Sequence, residues 1–223
     1  MDIYKTDEEK GEALKLWIRE NGVSVLAGVF IGLAVIFGGR SWVEYGQQKT
    51  EQASYLYFQM MDAASQNADD SVLLLAGQLL EKFGDTPYAS AGAMMRAKIN
   101  QAQGDVENAV SDLEWVVEHA QISAQIHGAR IHLIRTLLAD KQVDAAQQVL
   151  SAIKDKVGFV AIYEDLQGDV YRVQARLQEA KASYQRALDA LSAGAAMRSM
   201  IEVKRNSIVG KRVGVNGTEA TGS

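Results

Sequence analysis

Three histidines, His119, His127 and His132, are the side chains best suited to ligate a metal or move a proton near neutral pH. Only His127 and His132 are close in sequence, five residues apart. On a helix that offset turns the two rings to different faces, so a shared metal is not expected and surface or packing roles are. Asp165 and Asp169 stand four apart, a spacing that puts two carboxylates on one helix face. Paired carboxylates can do acid–base work, but this lone pair reads as a solvated face. Asp105 and Glu107 open a helix, where acids complement the dipole. Tyr55, Tyr57 and Phe58 cluster in the manner of core packing. The chain has no cysteine, which removes thiolate chemistry and disulfides. It also lacks G-x-S-x-G, a P-loop and G-x-G-x-x-G. No catalytic residue, cofactor or metal is therefore expected, and recognition by shape is. A net charge of -5 with no concentrated basic face argues against nucleic acid as a partner.

The elements that carry these residues are helical. A single proline in 223 residues disfavours a loop-rich β fold. Between Glu20 and Arg40 the chain runs uncharged, NGVSVLAGVFIGLAVIFGG. At about 1.5 Å per residue this run makes a helix of roughly 28 Å, close to the hydrocarbon thickness of a bilayer. Trp17 and Trp42 flank it as interfacial indoles would, and Arg19 and Arg40 can snorkel. A buried core helix would show a polar face, which this run lacks. A cleaved signal peptide would carry few acids before the run and a small-residue cleavage site after it. Six acids precede this one. An uncleaved transmembrane helix over residues 22–39 is expected.

Residues 1–20 hold Lys5, Lys10, Lys15 and Arg19, whereas 40–59 hold Arg40 and Lys49. The excess, by two charges, favours an inside N-terminus and puts the C-terminal domain in the periplasm. Within the span Gly28 and Gly32 form G-x-x-x-G, and Gly39 falls on nearly the same face. These three glycines are candidate packing positions for a second membrane helix, although glycine is common in such helices.

From Ala53 on, apolar residues recur at helical spacing and the chain repeats itself. Gly168-x-x-Tyr171 matches the G-x-x-Y step in the first helix of a tetratricopeptide repeat. Ala180-x-x-x-Tyr184 followed by Ala187 matches the A-x-x-x-F step of its second helix. Ala145-x-x-x-Val149 and Ala109-x-x-x-Leu113 fall at the equivalent place. The three leading alanines are thus 36 and 35 residues apart, near the repeat period of about 34. Small residues let two helices cross closely, large ones fill the gap, and stacking joins the stripes into one core. The other copies are degenerate. Ala97 takes the small position of 93–126 but Asn100 replaces the tyrosine, and 129–160 carries Leu133 and Thr136 there. An irregular helical bundle is the alternative.

Residues 53–83 read as a further pair, near 53–66 and 70–83. Gly84 suits a helix end, Asp85 or Thr86 an N-cap, and Pro87 the next first turn. A last helix is expected near 195–206. The expected organisation is all-α: an N-terminal cytoplasmic segment at 1–21, the span at 22–39, a juxtamembrane helix or linker at 40–52, a periplasmic repeat domain at 53–208, and a disordered tail at 209–223. Asn216-Gly217-Thr218 in that tail is a formal glycosylation sequon without meaning in a bacterium.

The opening closely resembles that of the YfgM family of Gram-negative bacteria, ancillary subunits of the SecYEG translocon. The matching pieces are Met1-Asp2-Ile3-Tyr4, Glu20-Asn21-Gly22, the glycine-bearing span, and Arg40 with Trp42. The likeness continues through Leu166-Gln167-Gly168-Asp169 and more weakly to Lys204, Asn206 and Ile208. It covers 1–208 in the order and kind of elements. The resemblance implies a single-pass inner-membrane protein, N-terminus in the cytoplasm, with its repeat domain beside the translocon. It implies pairing with the membrane-anchored chaperone PpiD and hand-over of emerging, unfolded client chains to periplasmic chaperones. It carries over no catalytic residue. A non-enzymatic adaptor with chaperone-like function is therefore expected. The alternatives are a scaffold of another cell-envelope assembly and a regulatory role for segment 1–20.

Overall fold

The computed structural model describes residues 7–210. The expectations for Met1-Asp2-Ile3-Tyr4 and for the tail beyond 210, sequon included, lie outside the described residues. Among those described the chain is all-α, with nine helices: α1 (Asp7–Ser65), α2 (Asp69–Phe83), α3 (Pro87–Ala102), α4 (Val106–His119), α5 (Ser123–Ala139), α6 (Val143–Ser151), α7 (Val160–Val173), α8 (Leu177–Asp189) and α9 (Arg198–Gly210). The last helix starts and ends later than 195–206, and the chain divides into two compact units after Gln52.

The first unit contains one helix segment long and apolar enough to cross a membrane, and none of its apolar window is covered by the protein. Val23, Phe30, Ile31 and Phe37 are all exposed. An apolar helix bare on every side suits hydrocarbon as its solvent.

The second unit is a tetratricopeptide-like superhelix of stacked helix pairs. From α2 on, each helix packs on its sequence neighbour, and α5 also meets both α3 and α7. α3, α5 and α7 therefore line one face. The turn inside each pair is built the same way four times. Asn67, Gly104, Lys141 and Ala175 all have positive φ, at 55°, 82°, 64° and 60°. The residue after each donates its N–H to a carbonyl five residues back: Ala68 to Ala63 at 3.0 Å, Asp105 to Asn100, Gln142 to Leu137 and Arg176 to Tyr171 at 2.8 Å each. This is the Schellman closure, which satisfies carbonyls left open at a helix end. Only one of the four turns spends a glycine on it.

Local sequence explains other boundaries. Asp105 caps α4 by accepting from the Asn108 N–H at 3.2 Å. Thr86 is the N-cap of α3 and Pro87 its first residue. The Thr86 hydroxyl donates to the Phe83 carbonyl at 2.8 Å, tying the end of α2 to the start of α3. The core falls into three clusters: one under α1 and α2 around Met60, Val72 and Leu79, one from α3 to α7 around Ile134, Tyr163 and Leu166, and one where α8 meets α9 around Tyr184, Leu188 and Ile201.

Candidate functional site

The repeat positions locate the helix crossings. Ala109 and Leu113 are buried in α4, and Ala180, Tyr184 and Ala187 are buried in α8. Tyr171 lies on the edge of the last cluster, under the Arg176 guanidinium at 4.3 Å. In α6 the crossing pair is Ala146 and Leu150, which are buried, while Ala145 and Val149 are half-buried. The small–large pair of that unit thus sits one residue later than the alignment of alanines suggests. The reason is local: the turn at Lys141 sets where α6 begins, and helix phase then decides which alanine faces inward. Among the described glycines, Gly168 has the closest neighbour. A Cβ there would lie 2.4 Å from Tyr184 Cε1, so only glycine admits the ring.

Asp165 and Asp169 are not a solvated face. Asp165 is completely buried, and Lys204 Nζ donates to its two oxygens at 2.8 and 2.9 Å and to Asp169 Oδ2 at 2.7 Å. The Tyr184 hydroxyl donates to Asp169 Oδ1 at 2.8 Å. Burial lifts the Asp165 carboxyl above its ordinary value even though the Lys204 ammonium pulls it down. Burial likewise raises the Tyr184 phenol, helped by the Asp169 charge. The cluster ties α9 to α7 and α8. A second buried carboxylate, Asp112 in α4, is gripped by Arg96 and Asn100 of α3; Arg96 Nε donates to its two oxygens at 2.8 and 2.9 Å. The Asn100 that breaks the repeat consensus is thus a ligand for this carboxylate.

The histidines are scattered. His127 is buried, stacks on Phe159 at 4.2 Å and bonds the Tyr163 hydroxyl at 2.7 Å. His119 stacks on Trp115. His132 is largely exposed, and partial burial, with the nearby Arg135 charge second, lowers its pKa. No group of histidines and carboxylates among the described residues could hold a metal. Of the aromatics beyond the span, Tyr57 packs against Tyr88 at 5.5 Å, but Tyr55 and Phe58 are 68% and 72% exposed. They point away from the face of α1 that carries Ala53 and Met60, so they are not core.

A pocket of 430 Å³ lies on the face shared by α3 and α5. Its floor is Ala91, Met94, Met95 and Ala97 of α3 with Leu113 of α4, and Lys98, Gln101 and His132 stand at its polar edge. Apolar walls with a few polar groups are the usual make-up of a ligand or peptide pocket. No motif announces it, because its lining comes from three helices. The methionines at 94 and 95, beside a lone lysine, were the available signal. In the first unit Gly28, Gly32 and Gly39 are exposed, and a Cβ at any of them would meet nothing within 4 Å.

A family model described as a tetratricopeptide repeat-like domain matches residues 15–210. The chain is 25% identical over 211 residues to an Escherichia coli (strain K12) protein named ancillary SecYEG translocon subunit, covering 93% of this chain and 99% of that one. It is 24% identical over 208 residues to a Haemophilus influenzae protein of the same name, covering 92% and 99%. Matches of this extent include the apolar helix as well as the repeats. With that helix, the chain is a membrane-anchored protein.

Proposed function

This chain belongs to the tetratricopeptide repeat-like domain family, and from that premise we propose that it is a non-enzymatic, inner-membrane adaptor of the Sec translocon. The carrying observation is the similarity, over almost the whole of both lengths, to two proteins named as ancillary subunits of that translocon. The span at 22–39 tethers the domain, with the N-terminus in the cytoplasm and the repeats at 53–208 in the periplasm. The excess of basic residues before the span supports that direction. Gly28, Gly32 and Gly39 form the helix-docking stripe, since among the described residues nothing lies within 4 Å of a Cβ at any of them. The repeat face bearing the α3–α5 pocket takes a PpiD-like membrane-anchored chaperone or an unfolded client, linking export to periplasmic chaperones. Stacked helix pairs with an apolar pocket and no catalytic constellation among the described residues support recognition over chemistry.

The experiment is co-purification of the tagged full-length chain from mild detergent, with photo-crosslinkers placed along residues 88–190 in living cells. SecY or a PpiD-like chaperone should be recovered, and Gly28→Leu with Gly32→Leu should reduce the yield several-fold. Repeated absence of both partners would sink the reading.

A further inference from the structure

The adaptor reading does not say what chemistry the pocket selects. We propose that the α3–α5 pocket accepts an apolar side chain from an acidic peptide segment, and that Lys98 reads a carboxylate beside that side chain. This rests on the adaptor reading for its premise that the domain binds polypeptide.

The first support is shape and material. At 430 Å³ the pocket lies within the range of roughly 300–1,000 Å³ that ligand sites occupy. Met94 and Met95 form much of its apolar wall, and both are only half-buried. Flexible, polarisable thioethers adapt to side chains of different outline. The second support is charge. Lys98 is exposed at the edge of the pocket and enters no ion pair or hydrogen bond with any described residue. None of the lining residues is acidic. The carboxylate next to lining Leu113 on α4, Asp112, is already neutralised by Arg96 and satisfied by Asn100. On α5, His132 lines the pocket; partial burial, and after it the nearby Arg135 charge, disfavours its cationic form. The edge is therefore net positive on a chain whose formal charge is -5. An acidic segment is attracted there, while a basic one meets an unpaired ammonium.

The test measures fluorescence anisotropy of labelled 12-residue peptides with the full chain in detergent micelles, empty micelles serving as blank. One peptide carries a central Leu-Asp-Glu, one Leu-Lys-Lys, and one Ser-Asp-Glu. The first should bind tightest. Lys98→Glu should weaken it by roughly 3–10-fold and improve the Leu-Lys-Lys peptide by a similar factor, the scale of one exposed charge pair made and then reversed. Ala91→Phe, which fills the pocket, should weaken both leucine peptides and leave the serine peptide unchanged. Lys98 is exposed, so its variant should keep the wild-type melting temperature. Equal binding of acidic and basic peptides, no binding of any, or a preference that survives Lys98→Glu overturns the proposal. Co-purification with SecY separates the two readings: if it fails while the charge preference holds, the pocket stands and the translocon assignment falls.

Discussion

Gly168→Ala adds one methyl group at the most crowded of the described glycines. The new Cβ would lie 2.4 and 2.6 Å from Cε1 and Cδ1 of Tyr184 and 3.0 Å from Cζ. These are ring carbons of a fully buried side chain. The ring is not free to step aside, because its hydroxyl is bound to Asp169 at 2.8 Å and Lys204 lies over it at 5.7 Å. Overpacking costs about 1–3 kcal/mol, and this contact belongs at the upper end. Replacing glycine by alanine inside a helix returns about 1 kcal/mol. The net expectation is a loss of about 2 kcal/mol, or a drop of about 4–8 °C in melting temperature for a domain of this size. Gly77→Ala in α2 is the control, because a Cβ there meets nothing within 4 Å. It should gain up to about 1 kcal/mol. Urea titration of the full chain in detergent, followed by circular dichroism, reads both. Adding Tyr184→Leu to Gly168→Ala should cost less than the sum of the two single changes, because the clash is gone. A neutral or stabilising Gly168→Ala, or strict additivity with Tyr184→Leu, would refute the reasoning.

Further outcomes follow from the same geometry. Lys204→Met strands the buried Asp165 charge and should cost about 3 kcal/mol in urea titrations, with Asp165→Leu recovering much of it in the double variant. Burial holds the Asp165 carboxyl above its ordinary value of 3.8, so the folded chain binds that proton more tightly than the unfolded chain. Its stabilising contribution is full below that value and is lost as pH rises through the raised folded value. Urea midpoints from about pH 4 to about pH 7 should therefore fall for the wild type relative to Asp165→Asn; a flat or rising difference would count against it. Ala175→Gly relieves a positive φ of 60° without disturbing the Arg176-to-Tyr171 closure, and should gain about 0.5–1 kcal/mol by thermal melt. Because the chain has no native cysteine, Glu12→Cys and Gln52→Cys can be labelled singly in intact spheroplasts. A membrane-impermeant maleimide should react only at position 52, and labelling at 12 would reverse the orientation.

The anchor and the helical repeat could be read from residue order alone. A run of 19 uncharged residues bounded by Trp17 and Trp42 needs no partner to declare itself, because the bilayer's thickness sets its length. The alanine period near 35 likewise reports a stacking rule that every unit obeys locally. Burial was a different matter, since it depends on what arrives from elsewhere in the chain. Asp165 and Asp169 look solvent-facing until Lys204, 39 residues beyond the first, is laid across them. Asn100 looks like a lost consensus residue until Asp112 comes to meet it. Tyr55 and Phe58 look like core until the phase of α1 turns them outward. The inward alanine of α6 is Ala146, because the positive φ of Lys141 starts that helix with no glycine to mark the turn. The pocket on α3 and α5 exists only once three helices are stacked, so its methionines and Lys98 share no spacing that a linear reading could recognise. Local periodicity determined which segments are helices and which one enters the membrane. Only the packing of distant segments decided which charges are buried, which glycine is indispensable and where a partner can sit.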